Sequence, residues 1–339
     1  LARSLAALEG TEWAIGTASG IAAIATTLLQ LCHQGAHIVA SHTIYGGTHA
    51  LLAETLPQMG IQTTFVDPDD TEAFQAAIRP ETRVLYTEVV ANPTLRISDI
   101  PALARVAREG DVKLVVDNTF TPVLVSPAAL GADVVVHSLT KFINGASDVV
   151  AGAVCASRAF VEELMDLHTG RIMLLGPTMD PRTAYDVYQR LPHLPLRMQE
   201  HGRRALAIAV RLQELGAPVG YPGLPDHPGH ARLNGMLNDP DLGHGGVITL
   251  DCGTRERAEA LMDHLQHQER FGYIAVSLGY FDTLMSCSGS STSSEISAEE
   301  QQRMGLSPGL LRISVGITGR LEDRVEAIAR AVRDVGLVA

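Results

Sequence analysis

Along the first half of the chain, short apolar runs rich in β-branched residues alternate with stretches whose apolar positions have helical spacing. Runs such as LVVD at 114–117 and DVVVH at 133–137 are continuously apolar rather than alternating. Continuous runs are typical of parallel strands that are buried on both faces. The pattern therefore predicts a doubly wound α/β domain. The predicted strands are residues 37–40, 62–66, 83–90, 114–117, 133–137 and 149–156, and the predicted helices lie near residues 21–33, 48–59, 71–78, 100–108 and 158–168.

The pattern changes near residue 190. The proline-rich stretch LPHLPLRM at 191–198 leads into a long predicted helix at 199–215. A turn-rich loop and a mixed α+β segment follow to the end of the chain. Proline-rich changes of composition favour a domain boundary. We therefore predict a larger domain at 1–192 and a smaller α+β domain at 193–339.

Composition excludes several classes of function. The formal net charge of −12 argues against a nucleic acid or an anionic membrane surface as the main partner. The four cysteines include no C-x-x-C pair, so neither a disulfide framework nor a zinc site is predicted, and a reducing, cytoplasmic compartment is expected. No apolar run approaches the ~20 residues of a membrane span, and no signal peptide is visible. The histidines lack zinc-protease spacing, so no metal is expected.

Polar residues follow the predicted strands where ligands bind in open parallel sheets, outside the carboxyl ends of the strands. Asp117 closes one strand, and Asn92 follows the strand that ends at residue 90. Ser138, Thr140 and Lys141 follow the strand at 133–137. We therefore expect these five side chains to share one edge of the sheet.

The helix opened by GTASG at 16–20 presents free backbone N–H groups that suit a phosphate. The segment is neither a P-loop nor a G-x-G-x-x-G fingerprint, which disfavours a nucleoside triphosphate or a dinucleotide. Asp117 offers a buried anion that keeps a ring nitrogen protonated, and Lys141 offers an amine that forms an imine with an aldehyde. These are the requirements of pyridoxal 5′-phosphate (PLP).

Lysine is rare in this chain, which sharpens the choice of the reactive amine. Only Lys113 and Lys141 occur among 26 basic residues. Lys113 begins the strand that Asp117 ends, about 13 Å away at ~3.3 Å per residue. Lys141 is therefore the candidate for the covalent link to PLP.

With these residues identified, the chain resembles the Cys/Met-metabolism family of PLP-dependent enzymes over essentially its whole length. The resemblance implies PLP fold type I, the aspartate aminotransferase-like architecture, with a large doubly wound, mostly parallel sheet domain and a smaller α+β C-terminal domain. The most specific match is DVVVHSLTKFINGASDVVAGAV at 133–154, which looks like the family's lysine signature. Shorter matches are TASGIAAI (17–24), HTIYGGT (42–48), ANPTLR (91–96), VVDNTF (115–120), PLRM (195–198) and LRISVG (311–316).

The resemblance also implies roles for individual residues. Lys141 would link to the cofactor and later move protons, and Tyr45 would stack on the ring and act in acid–base steps. Arg312 would bind the substrate carboxylate bidentately, helped by Ser277. The cofactor-binding set would be Ser19, Gly20, Ile21, Tyr45, Asn92, Asp117, Ser138, Thr140 and Lys141, with Asp117 on the pyridine nitrogen and Asn92 near the ring hydroxyl.

Two departures from the family pattern are visible. Glu88 is followed by Val89-Val90 where the family usually has Ser/Thr-Pro before its Asn-Pro, and we expect this change to leave Asn92 in place. The family's N-terminal arm, whose Tyr and Arg reach the neighbouring subunit's phosphate, is expected to be missing from these residues. The resemblance further implies a homo-oligomer, a tetramer built as a dimer of dimers.

Within the family, the stretch at 277–294 together with SPGLLRISVG at 307–316 looks most like plant-type methionine γ-lyases. On composition alone, the serine-rich residues 286–297 would be a surface loop; the resemblance makes them an active-site wall. Gly47 stands where many bacterial methionine γ-lyases have Cys and cystathionine enzymes have Gly.

Three hypotheses follow for function. The first is α,γ-elimination from a sulfur amino acid, with methionine giving methanethiol, 2-oxobutanoate and ammonia. The second is cystathionine γ-lysis or γ-replacement, as in cystathionine γ-synthase and O-acetylhomoserine sulfhydrylase, which use the same catalytic residues. The third is an inactive subunit of an assembly.

Overall fold

The computed structural model describes residues 1–287 and 306–338. Two sheets organise these residues. The strands of the first are β1 (Trp13–Thr17), β2 (His37–Ser41), β3 (Gln62–Val66), β4 (Thr82–Glu88), β5 (Lys113–Asp117), β6 (Val134–Ser138) and β7 (Gly152–Ala156), and those of the second are β8 (Val219–Gly220), β9 (Val247–Asp251), β10 (Tyr273–Ile274), β11 (Leu284–Cys287) and β12 (Leu310–Ser314).

The first sheet has the order β1-β7-β6-β5-β4-β2-β3. Its five strands from β6 to β3 are parallel, and β7 pairs antiparallel with β6 on one side and with β1 on the other. The mostly parallel sheet is therefore confirmed. The strand β1 was not predicted. Its sequence, WAIGT, has only Trp13 and Ile15 as strong strand formers before its final Thr, and it lies between a glycine-containing turn and a loop of small residues.

Helices cover both faces of this sheet. Val135 packs in one core with residues of α6, whereas its neighbours Val134 and Val136 pack in the other with residues of α2. This alternation is why the strands are apolar throughout. The helices are α1 (Ala2–Glu9), α2 (Gly20–Leu31), α3 (Gly46–Ala50), a π-helical turn (Leu51–Thr55), α4 (Leu56–Gln58), α5 (Thr71–Ala76), α6 (Ile100–Glu109), α7 (Arg158–Leu164), α8 (Arg171–Leu175), α9 (Pro181–Arg190), α10 (Leu194–Glu214), α11 (His230–Asn234), a 3-10 turn (Pro240–Leu242), α12 (Arg255–His267) and α13 (Leu321–Asp334).

The second sheet has the order β10-β11-β12-β9-β8 and is antiparallel except for the pair β10–β11. It has its own core, which includes residues of α12 and α13. A large α/β domain with a smaller α+β domain is the predicted fold class, and the structure confirms it.

Helix α10 connects the two cores. Leu194 and Met198 pack with the first core, whereas Ala205 and Leu212 pack with the second. The helix begins at Leu194 rather than at the predicted residue 199, because Pro195 is tolerated in a first helical turn, where its missing N–H leaves no helical bond unmade. The domain boundary at 192/193 stays a prediction.

Residues 288–297 of the predicted serine-rich wall lie outside the described residues. Within the described residues, no helix combines the length and the apolar character that crossing a membrane requires.

Candidate active site

The carboxyl ends of β4, β5 and β6 lie side by side at one edge of the first sheet. Glu88 is the register partner of Asp117, and Asp117 pairs with Val136, two residues before Ser138. A cavity opens at this edge. It is lined by Ser19, Gly20, Ile21, Ile24, Tyr45, Glu88, Val90, Asn92, Asp117, Thr119, Phe120, Ser138, Thr140, Lys141, Val150, Val276, Leu278 and Arg312.

The structure thus brings together every predicted site residue in or beside one cavity. Ser277 does not line the cavity itself, but its side-chain oxygen accepts a hydrogen bond from the Lys141 amine at 3.0 Å. The clustering results from sheet topology, since the segments are distant along the chain.

The beginning of α2 forms an anion cradle. The side chain of Ser19 caps the helix by accepting a bond from the N–H of Ala22 at 3.1 Å. The N–H groups of Gly20 and Ile21 come before the first helical bond, so they remain available to a ligand. A Cβ on Gly20 would lie 2.6 Å from the Cβ of Ser138, so only glycine lets the helix approach that strand end so closely.

The two side-chain hydroxyls that were predicted to bind a phosphate, those of Ser138 and Thr140, differ in their surroundings. Thr140 donates to the carbonyl of Ala151 at 3.2 Å and accepts from its N–H at 3.0 Å. Ser138 is held through its backbone N–H, which donates to the Thr119 hydroxyl at 2.9 Å. Ser138 is therefore the more available donor for an anion at the helix terminus.

Asp117 is a buried carboxylate at the floor of the cavity. The N–H of Thr119 donates to one of its oxygens at 2.8 Å. Burial raises the pKa of Asp117, and bonds from Thr119 and the charge of His137 act in the opposite direction. A cationic ring nitrogen beside this carboxylate would favour its ionised form.

Lys141 has the properties of a reactive amine. Burial, and then the positive charge of Arg312, lower its pKa to about 8 from an ordinary value of 10.5. Its neutral, nucleophilic form is therefore more abundant near neutral pH than that of a surface lysine.

Arg312 is a buried cation, 2% exposed. It donates to the side-chain oxygen of Asn92 at 3.0 Å and to the backbone carbonyls of Val276 and Ser277 at 2.9 and 3.1 Å. Burial lowers its pKa to about 10. None of the ion pairs found in residues 1–287 and 306–338 includes Arg312. A guanidinium in this setting suits a carboxylate ligand.

Tyr45 stands at the mouth of the cavity, with 46% of its surface exposed. Gly47 lies against its ring, because a Cβ there would be 2.7 Å from a ring carbon. Any side chain at position 47 would displace the ring.

The donor set fits PLP. The helix terminus with Ser138 matches a phosphate, the Asp117 carboxylate matches a pyridinium nitrogen, and Lys141 matches an aldehyde. Tyr45 and the apolar side chains of Val90 and Phe120 line the same cavity and suit the PLP ring.

Sequence reasoning missed three residues that shape the site. Glu88 was noted only as the residue before the departure at Val89-Val90, yet it lies in the cavity wall. Thr119 follows Asp117 in the matched VVDNTF segment and bridges it to Ser138. Arg197, in the matched PLRM segment, donates to the carbonyls of Phe142 and Ile143, directly after Lys141. The signal was present in the motifs, but their contacts depend on the fold.

Comparison with known proteins agrees with this geometry. The family model described as Cys/Met metabolism PLP-dependent enzyme matches residues 1–333. A methionine gamma-lyase of Arabidopsis thaliana is 54% identical over 96% of this chain and 74% of that protein. A cystathionine gamma-lyase of Bacillus subtilis is 37% identical over 97% of this chain and 84% of that protein.

A solved structure shares the fold. The crystal structure of cystathionine gamma-lyase from Lactobacillus plantarum complexed with L-serine superposes with a TM-score of 0.88 at 30% identity, covering 97% of this chain and 84% of that one. Together with the match to the family model, this similarity shows that the chain has PLP fold type I. The chain belongs to the Cys/Met metabolism family of PLP-dependent enzymes.

Proposed function

We propose that this protein is a carbon–sulfur lyase that cleaves sulfur amino acids by α,γ-elimination, with methionine as the preferred substrate. The observation that carries the proposal is the buried Arg312 guanidinium, without a carboxylate partner among the described residues, in the same cavity as the Lys141 amine. In this pair, Arg312 would bind the α-carboxylate of an amino acid, and Lys141 would act at its α carbon. The 54% identity to the plant enzyme supports methionine as the choice.

In this proposal Arg312 binds the substrate carboxylate and thereby fixes the α carbon near Lys141. When bound, PLP supplies a ring that stabilises the negative charge left on the α carbon when its proton is removed. Ser19, Gly20, Ile21, Ser138 and Thr140 would hold its phosphate, with Asp117 at its ring nitrogen and Asn92 beside its ring hydroxyl.

Two groups move protons. The Lys141 nitrogen accepts the α proton, for which its lowered pKa near 8 is suited, since a general base works best close to the operating pH. Once Lys141 has passed this proton on, it takes a second proton, from the β carbon, and the electron pair left there expels the γ sulfur. The Tyr45 hydroxyl donates a proton to the departing sulfur. The half-exposed position of Tyr45 supports this role, since a small thiol can leave at the open end of the cavity.

The experiment is to incubate the purified, PLP-loaded protein with methionine alone and to measure 2-oxobutanoate and methanethiol. Their formation in equal amounts is the expected result. Absence of the oxo acid would contradict the proposal.

The second candidate is cystathionine γ-lysis or γ-replacement by the same residues. Gly47, which is also the residue of cystathionine enzymes, and the relative from Bacillus subtilis favour it. Parallel assays with cystathionine, and with O-acetylhomoserine plus a thiol, decide between the candidates through their kcat/KM values.

We also propose that the protein works in the cytoplasm as a homo-oligomer, a tetramer made of two dimers. Apolar side chains that a monomer would leave in water support this assembly: Leu167, Leu174, Leu175, Tyr185 and Leu196 are each at least half exposed. Cys32, Cys155 and Cys252 are buried free thiols, which suits a reducing compartment. Light scattering would give the mass; a monomer would overturn the assembly.

A further inference from the structure

Glu88 is a buried acid in the cavity wall that the proposed reaction does not use. It ends β4, is 5% exposed and is the register partner of Asp117 on β5. A buried carboxylate beside a second carboxylate is costly unless it is well hydrogen-bonded. Burial and the charge of Asp117 raise its pKa to about 8, and two backbone hydrogen bonds act against this shift.

Those two bonds reach two site residues. One oxygen of Glu88 accepts from the N–H of Tyr45 at 2.8 Å, and the other accepts from the N–H of Asn92 at 2.9 Å. Tyr45 follows β2, whereas Asn92 lies in the turn after β4. One side chain therefore ties together the two segments that carry these residues.

The chain of hydrogen bonds continues from Asn92 to Arg312, the cation proposed to bind the substrate carboxylate. The side-chain oxygen of Asn92 accepts from a terminal nitrogen of Arg312 at 3.0 Å. The Glu88 carboxyl group thus holds the backbone of Asn92, and the Asn92 side chain holds Arg312. Tyr45 and Arg312 come from different domains, and Glu88 lies on the path of contacts between them.

We propose that Glu88 is a positioning residue that sets Tyr45 and the Asn92–Arg312 pair in a fixed relation around the cavity. This inference rests on the proposed function for the roles of Tyr45 and Arg312. Glu88 needs both of its oxygens for the task, since each accepts one of the two N–H groups.

The test variant is Glu88→Gln, which keeps the shape but has one acceptor oxygen, so that its NH2 group faces one of the N–H donors. We expect kcat for thiol release to fall by about 10²-fold, the cost of a misplacement of about 1 Å. We also expect KM to rise and the dissociation constant of PLP, measured by fluorescence titration, to rise. Exchange of the substrate α proton with solvent deuterium, which uses Lys141, should fall less than thiol release.

A merely structural role would give another pattern. The melting temperature would drop while KM and the PLP dissociation constant stayed at the wild-type values, and exchange and thiol release would fall by the same factor. That pattern, or unchanged kinetics, would overturn the proposal. If Glu88→Gln gives no soluble protein, Glu88→Asp, which withdraws the carboxylate by one methylene, decides on the same criteria.

Glu12→Gln is the matched control. Glu12 also accepts a backbone N–H, that of Arg158 at 2.8 Å, but it is exposed and lies outside the cavity. Its variant should keep wild-type kinetics and PLP affinity. If the wild-type protein does not release oxo acid from methionine, the proposed function fails by itself; the PLP dissociation constant of Glu88→Gln still tests this inference without any substrate.

Discussion

The amine of Lys141 donates a hydrogen bond to the hydroxyl of Ser277 at 3.0 Å, which joins the sheet edge of the first domain to the second domain. The backbone of Ser277 also accepts a bond from Arg312 at 3.1 Å. Gly279, two residues further on, packs against the backbone at Lys141, where a Cβ would lie 2.8 Å from the Lys141 carbonyl carbon. The Lys141 amine and the Arg312 guanidinium are thus both held by one short segment, residues 277–279.

The lowered pKa of Lys141 predicts how cofactor capture depends on pH. Its value in the folded protein, about 8, is below the ordinary 10.5, so the neutral amine is already favoured as pH rises through 8. The rate at which PLP-free protein forms its visible absorbance band should therefore increase up to about pH 8 and then level. Stopped-flow absorbance measures this rate. Lys141→Ala should form no band, and a rate that rises until pH 10 would contradict the assigned pKa.

Replacing Arg312 by lysine should weaken substrate binding selectively. The change removes the planar pair of donors that matches a carboxylate, and charge-assisted bonds of this kind contribute about 1.5–3 kcal/mol each. We expect KM for methionine to rise by about 10²-fold or more, because each 1.4 kcal/mol is tenfold. Steady-state kinetics gives the value. The PLP dissociation constant should change little, and an unchanged KM would remove Arg312 from the substrate site.

The close contact at Gly20 predicts a loss of cofactor affinity in Gly20→Ala. The added Cβ would lie 2.6 Å from the Cβ of Ser138, so the helix terminus must withdraw from the strand end. We expect the PLP dissociation constant to rise by about tenfold, or about 1.4 kcal/mol. Equilibrium titration measures it. Gly235→Ala is the control, since its nearest neighbour would be 3.5 Å away, and equal affinities in both variants would argue against the cradle.

Arg197 should stabilise the turn that follows Lys141. Its guanidinium donates to the carbonyls of Phe142 and Ile143, and burial lowers its pKa to about 10. Arg197→Met would leave both carbonyls without this partner, so we expect the free energy of unfolding to fall by about 3 kcal/mol, from bonds of about 1.5 kcal/mol each. Urea denaturation measures it. The exposed Arg203, whose partner is Glu200, should lose less than about 1 kcal/mol on the same change.

Several elements were readable from local pattern alone. Continuous apolar runs located β5 and β6 within one or two residues, because a strand covered on both faces has no polar side. Asp117 and Lys141 stood at the ends of those runs, and the rarity of lysine left one reactive amine at that edge. These features depend on residue types and short spacings, which the chain displays directly.

Other features depended on the fold. The strand β1 joins the sheet antiparallel to β7, a pairing about 140 residues apart that no local run signals. Glu88 had no role assigned from its motif, and only the meeting of the segments after β2 and β4 gives it two partners. By itself the sequence determined the cofactor chemistry, since that follows from which side chains exist at strand ends. The tertiary structure decided how those side chains are held and which pKa values they have, because burial and long-range contacts arise only when the two sheets and α10 bring distant segments together.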